Sequence, residues 1–312
     1  MTYASAPGKI ILFGEHAVVY GRPALAVPVF QVRAGVTVED RPEAGIWIES
    51  PQIGLSAAIE DLETDHPLAA AVYAVLRHLE RSPKDCRLRI HIDSSIPVAS
   101  GLGSGAAVSV ALIRALAAHL GRPLEDAQVN ALAYEIEKIH HGTPSGIDNT
   151  VITYAQAVYF VRGQPPQPFQ VKGNFTLLIG NSGIPAPTRQ AVADVRRLWE
   201  AEPARFEALF DRIGEIVAQA RQALEAGDAP RVGALMNANH AILQELTVSS
   251  PVLDALVEAA RRAGAWGAKL SGGGRGGNMI ALVEAARAGE VAEALRAAGA
   301  QSVIQTELGG ET

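Results

Sequence analysis

The chain has 312 residues, 48% hydrophobic and 19% charged, a globular composition with room for two domains or one large one. Its net charge of −6 argues against nucleic acid as a partner, since such binders usually carry a basic face. It leaves anionic ligands open, because backbone N–H groups bind phosphate whatever the net charge. The single cysteine, Cys86, cannot form an internal disulfide, so a reducing, cytoplasmic location is expected. The start, MTYASAPGKIILFGEH, meets charge and glycine too early for a signal peptide. No run of about 18 apolar residues predicts a membrane span.

In chain order, the first third reads as strand. Ile10 to Phe13 is a short apolar run, and Leu25 to Val38 is rich in β-branched residues. Ile46–Ile48 and Leu88–Ile92 are further strands. Apolar spacing predicts helices over Pro67–Leu79, Ala106–Leu120 and Leu124–His140, the last opened by Pro123. Val151–Val161 and Phe175–Ile179 return to strand. The Pro- and Gln-rich stretch 163–173 reads as a linker or hairpin. Helices follow over Arg189–Trp199, Pro203–Ala226, Ala229–Thr247 and Pro251–Ala263. Short strands Gly267–Leu270 and Met279–Leu282 flank a glycine-rich loop, and Val291–Ala298 then Ser302–Thr306 read as helix and strand. The fold class is therefore α+β. A boundary near residue 173 divides the chain into domains 1–173 and 174–312.

Chemistry gathers in four places. Residues 142–150, GTPSGIDNT, put Asp148 just after turn formers that no helix interior would hold together. Glu137 lies late on the preceding helix. Residues 96–112, IPVASGLGSGAAVSVAL, run from a strand into a helix. Their glycines allow close backbone approach, and the helix start offers free N–H groups to an anion. Near the N-terminus, Lys9 precedes an apolar strand and Glu15-His16 follow it. Residues 269–282, KLSGGGRGGNMIAL, form a third glycine loop, equally readable as a hairpin turn. His140-His141 read as helix-terminal residues, not metal ligands, because no zinc spacing accompanies them. The Walker string is absent. The GxGxxA match at Gly101, Gly103 and Ala106 lies too far past its strand for a Rossmann turn. Protein-kinase signatures are absent too. A kinase acting on a hydroxyl needs a cation at the phosphates, ligands for Mg²⁺ and a group at the acceptor oxygen. One or two carboxylates with phosphate oxygens suit Mg²⁺, so Glu137 and Asp148 can supply the metal ligand and the acceptor-side group.

Three of these motifs, in this order, resemble those of the GHMP kinases, from residue 6 to about residue 282. PGKIILFGEHAVVYGRPA and YEIEKIHHGTPSGIDNTV look most like the mevalonate-phosphorylating branch. The resemblance implies a two-domain GHMP kinase fold, with an N-terminal domain like ribosomal protein S5 domain 2 and a ferredoxin-like C-terminal domain. It implies ATP and Mg²⁺ as cofactors and mevalonate as the small-molecule partner, phosphorylated at its C5 hydroxyl, with homodimerisation left open. Asp148 and Lys9 would be catalytic. Pro97, Ser100, Gly101, Leu102, Gly103, Ser104, Gly105 and Ala106 would hold ATP. Glu15, His16, Thr188, Gly273 and Gly274 would bind substrate, and Glu137 with Ser104 would hold the metal. Two positions depart from the family pattern. Gly105 stands where relatives often carry a second serine. Ala186 stands where they often carry a basic residue, leaving Arg189 or Lys269 for a substrate carboxylate. Rival readings are a related kinase of phosphomevalonate, homoserine or a sugar, a diphosphomevalonate-type decarboxylase, and a regulatory nucleotide-binding protein without turnover.

Overall fold

The structure, a computed structural model, describes residues 1–63, 65–97, 100–141 and 144–309. It divides into two compact units: residues 1–9, 28–98 and 102–155, and residues 10–27, 99–101 and 156–312. Strands β1 (Thr2–Phe13) and β2 (Ala24–Asp40) each contribute to both.

In the first unit, β2 is followed by β3 (Gly45–Ser50), β4 (Leu55–Ala58), helix α1 (Pro67–His78) and β5 (Arg87–Ser94). The strand order is β4-β3-β5-β2, with β3 and β5 parallel and the other pairs antiparallel. Strand β5 alternates strictly: Leu88, Ile90 and Ile92 are buried, whereas Arg87, Arg89, His91 and Asp93 are exposed. Its register sets Ile90 opposite Val38 and Ile92 opposite Val36, so one face of the sheet is apolar. Helices α2 (Ser104–His119), α3 (Asp126–His141) and α4 (Ile147–Tyr154) complete this unit. Helix α2 contacts α1, α3, α4 and β5, which is why it is apolar nearly all round.

Two expectations change here. Residues 151–161 are not one strand: α4 runs to Tyr154 and only β6 (Val158–Phe160) is extended. The β-branched run Val151-Ile152-Thr153 favours a strand by propensity, but burial of Val151 and Ile152 in a helix that packs on α2 and α3 overrides it. The N-terminal strand also starts at Thr2, eight residues before its apolar run. The side chains of His140 and His141, together with Gly142, lie outside the described residues.

In the second unit the 163–173 stretch supplies β7 (Gln167–Pro168), which pairs antiparallel with β6 as a hairpin arm. Then come β8 (Phe175–Asn181), α5 (Thr188–Ala201), α6 (Pro203–Ala226), α7 (Ala229–Glu245), α8 (Pro251–Arg262), β9 (Gly267–Ser271), β10 (Asn278–Val283), α9 (Ala288–Ala297) and β11 (Ser302–Leu308). The sheet order is β11-β8-β10-β9, antiparallel throughout. This is the ferredoxin-like arrangement, with several helices in place of the usual first one. Strands β9 and β10 are buried along their whole length, so the loop joining them is held at both ends by core.

Candidate active site

In the first unit β1 delivers Lys9 to Asp148. Lys9 Nζ lies 3.0 Å from Asp148 Oδ1, with the lysine buried and the aspartate about one third exposed. Asp148 occupies the first turn of α4, whose N-cap, Gly146, has φ 88°. The turn formers that precede Asp148 thus serve to start a helix with an acidic residue in its first turn, where the dipole favours it. Thr150 Oγ1 donates to Gly146 O at 2.7 Å and fixes that start.

Glu137, on α3, is buried beside this pair. Its pKa is pushed up to about 8, first by burial and then by the Asp148 charge, with Lys9 opposing. With Lys9 balancing Asp148, Glu137 is held mainly protonated at neutral pH, and a cation placed beside it would favour its ionised form. Asn149 also belongs to this cluster. With its amide oriented so that nitrogen faces acceptors, it donates to Gly146 O at 3.0 Å and to Glu137 Oε2 at 3.2 Å.

The second glycine motif lies against the same lysine. Lys9 N–H donates to Leu102 O at 3.0 Å. Gly103 has φ 74°, and a Cβ there would meet Lys9 Cγ at 3.0 Å and Ile152 Cδ1 at 2.9 Å. Only glycine suits both the conformation and the space. Ala107 N–H closes on Gly103 O, so the N–H groups of Ser104, Gly105 and Ala106 precede the first intrahelical bond of α2. That is an anion-binding arrangement. Gly105 is exposed, and a Cβ there would enter open space. Pro97 is exposed just before this loop.

In the second unit Glu15 and His16 follow β1 and precede the 3-10 turn Ala17–Tyr20. His16 has φ 61°, a left-handed conformation that a non-glycine residue holds only under constraint. The constraints are visible. Glu15 pairs with Lys269 Nζ, which also donates to Leu270 O at 2.6 Å. His16 Nε2 lies 3.1 Å from Gly273 O, so the ring carries its proton on Nε2 and donates there. Burial lowers the His16 pKa to about 4, against the Gly273 bond, which raises it, and with a smaller push from Arg275. Ser271 Oγ donates to Ile11 O at 2.8 Å, and Asn278 Nδ2 to Ser100 O at 2.6 Å. Gly273 lies so close to Thr188 that a Cβ would meet Thr188 Oγ1 at 2.5 Å; Gly274 is tighter, with Val248 O at 1.9 Å.

The predicted residues therefore fall into two clusters. Lys9, Glu137, Asp148 and residues 102–106 belong to the first unit. Glu15, His16, Thr188, Gly273, Gly274, Ser100 and Gly101 belong to the second. Lys269, one candidate for a substrate carboxylate, is fully buried and committed to Glu15, whereas Arg189 is exposed beside Thr188. Asn149, Asn278, Arg275 and Asp194 are additions that the motifs did not single out. Asn149 directly follows Asp148, and Arg275 is the one large residue among the glycines of its loop. Those were the available signals.

Comparison with known proteins identifies the family. The family profile "GHMP kinases N terminal domain" matches residues 69–156, and "GHMP kinases C terminal" matches residues 220–301. The mevalonate kinase of Pyrococcus horikoshii is 38% identical, over 96% of this chain and 94% of its own. That of Aeropyrum pernix is 36% identical, over 97% and 92%. Among solved structures, L. major mevalonate kinase in complex with R-mevalonate superposes with a TM-score of 0.84 at 31% identity, covering 100% of this chain and 97% of that one.

Proposed function

Because the chain belongs to the GHMP kinase family, we propose that it transfers the terminal phosphoryl group of ATP to the C5 hydroxyl of mevalonate, giving 5-phosphomevalonate. The observation that carries this reading is the Lys9–Asp148 pair at 3.0 Å, with Glu137 buried beside it and the start of α2 against the same lysine. A cation, two carboxylates and the free N–H groups of a helix start lie in one unit, which supports this reading because phosphoryl transfer to a hydroxyl requires such a set.

In this reading Asp148 orients the acceptor hydroxyl and takes its proton as the new bond forms. Lys9 holds Asp148 in place and offsets charge on the transferring group. The N–H groups of Ser104, Gly105 and Ala106, with residues 97–103 leading in, hold the nucleotide phosphates. Glu15, His16, Thr188, Gly273 and Gly274 form the acceptor side, where neutral His16 keeps Nδ1 as an acceptor for a substrate hydroxyl. Arg189 is the exposed cation left to meet a carboxylate.

The residues present fit Mg²⁺. Glu137 is a buried carboxylate whose charged form is disfavoured by burial and by Asp148, so a cation beside it would favour ionisation. A hard cation held by one or two carboxylates plus phosphate oxygens is the matching chemistry, with Glu137 and Ser104 as the protein ligands. When bound it would neutralise phosphate charge. Gly105 brings no hydroxyl to that task.

The free, buried Cys86 supports a reducing, cytoplasmic setting. The domain boundary at 173/174 is part of the proposal: the matched segments, 69–156 and 220–301, leave the intervening residues unassigned, and the compact units divide at 155/156. The test is ADP release with mevalonate, phosphomevalonate, homoserine and galactose as acceptors, for the native chain and Asp148→Asn. Mevalonate should be preferred. The variant should bind nucleotide but lose about 10²–10⁴-fold in kcat, the usual general-base contribution. Near-native turnover by Asp148→Asn would remove that residue's role.

A further inference from the structure

Within the glycine loop 272–277, Arg275 is neither small nor relaxed, with φ 61°. Thr247, in the α7–α8 connection, is β-branched and also has φ 61°. The two segments face each other. Arg275 N–H donates to Val248 O at 2.9 Å, and its Nε donates to Thr247 O at 3.3 Å. On the other side Arg275 Nη1 pairs with Asp194 of α5. Asp194 is built for this: it also accepts from Arg197 and, at 2.7 Å, from Gln190, and Arg275 first of all holds its carboxyl well below the usual range. Strained non-glycine residues persist where their surroundings hold them, and such strain gathers at functional sites.

The clamped segment touches the acceptor-side residues directly. Two residues before Arg275, the Gly273 carbonyl receives His16 Nε2, and its Cα lies against Thr188, the first residue of α5. Two residues after it, Gly277 N–H donates to Ile184 O at 2.7 Å, in the turn leading into α5. Arg275 therefore ties the loop to the same helix whose first residue the loop must meet.

We propose that Arg275 is a positioning residue: its clamp between Asp194 and the Thr247 carbonyl sets the Gly273 backbone at His16 and Thr188, and so tunes acceptor binding and not nucleotide binding. The proposal rests on the kinase reading above.

Arg275→Gly removes the clamp while relieving the strained φ, and Asp194→Asn removes its ionic partner, together with the exposed Arg197 pair, while leaving the Thr247 bond. Both should raise KM for mevalonate about tenfold and leave KM for ATP within about twofold. The double variant should be no worse than the poorer single, because both remove one interaction. Arg275→Lys keeps the charge but not the Nε bond and should fall between. Amide hydrogen exchange at Arg275 and Gly277 should quicken in both single variants. Unchanged protection overturns the clamp. Lost protection with an unmoved acceptor KM, or an equal rise for ATP, overturns the positioning role. If the native chain does not use mevalonate, the kinase reading of the acceptor fails, while the exchange measurement still decides the clamp.

Discussion

Lys269 and Glu15 are ion-paired with neither side chain reaching solvent, at 0% and 1% exposure. Burial pushes the Lys269 pKa down and Glu15 opposes it. Glu15 Oε1 takes the lysine, while Oε2 makes no hydrogen bond among the described residues. The pair fastens β9 to the turn that carries His16. Lys269→Met would strand a buried carboxylate, which typically costs about 3–5 kcal/mol. Adding Glu15→Gln removes the stranded charge, so the double variant should regain most of that loss. Denaturant unfolding of the two variants checks this. A cost below about 1 kcal/mol for Lys269→Met would show that water reaches Glu15.

His16 gives the chain a dependence on acid. Its folded pKa is about 4, lowered mainly by burial, against 6.5 when exposed. Above pH 6.5 both states are neutral there and it contributes nothing. Between pH 6.5 and about 4 the unfolded chain takes up a proton that the folded chain refuses. Stability therefore falls as pH drops through that window and levels off below it. The gap is worth about 3 kcal/mol. His240, also held near 4 chiefly by burial, adds a second term of the same sign. Unfolding free energies measured at pH 7 and pH 4.5 should show His16→Gln losing less stability on acidification than the native chain. Equal losses would mean that His16 protonates without cost.

Much of this was legible in the residues, for different physical reasons. The strict alternation of β5 and the apolar girth of α2 announce their burial directly, because side-chain period follows backbone geometry. The motifs that pair Lys9, Glu137 and Asp148 were legible as chemistry, but their meeting was not: 139 positions separate Lys9 from Asp148, and that distance is closed by tertiary packing, with β1 bonded to Leu102 and Gly103 set between the Lys9 stem and Ile152 of α4. Helix α4 itself was misread at Val151–Thr153, where local β preference is overruled by neighbours that the local sequence does not contain. Arg275 was hidden for a related reason. Its partner, Asp194, is an ordinary acidic residue on an amphipathic helix, and nothing in either segment points to the other.

The first glycine loop offers two neighbouring tests with opposite outcomes. Gly103 has positive φ and no room: an added methyl would press on the Lys9 stem and on Ile152. Gly103→Ala should cost about 1–2 kcal/mol in backbone strain alone. It should also displace Lys9 from Asp148, so kcat falls with stability. Gly105 lies two residues on, inside the first turn of α2, exposed, with nothing within 4 Å of its missing Cβ. Gly105→Ser therefore fits without strain and should raise stability by a few tenths of a kcal/mol, as expected for replacing glycine in a helix. Its new hydroxyl stands at the start of α2, where the phosphates are proposed to bind. The Mg²⁺ concentration giving half-maximal rate should fall in this variant while KM for mevalonate stays put. Thermal unfolding and rates titrated against Mg²⁺ for both variants check this. A Gly105→Ser chain that needs as much Mg²⁺ as the native one would place the metal out of reach of position 105.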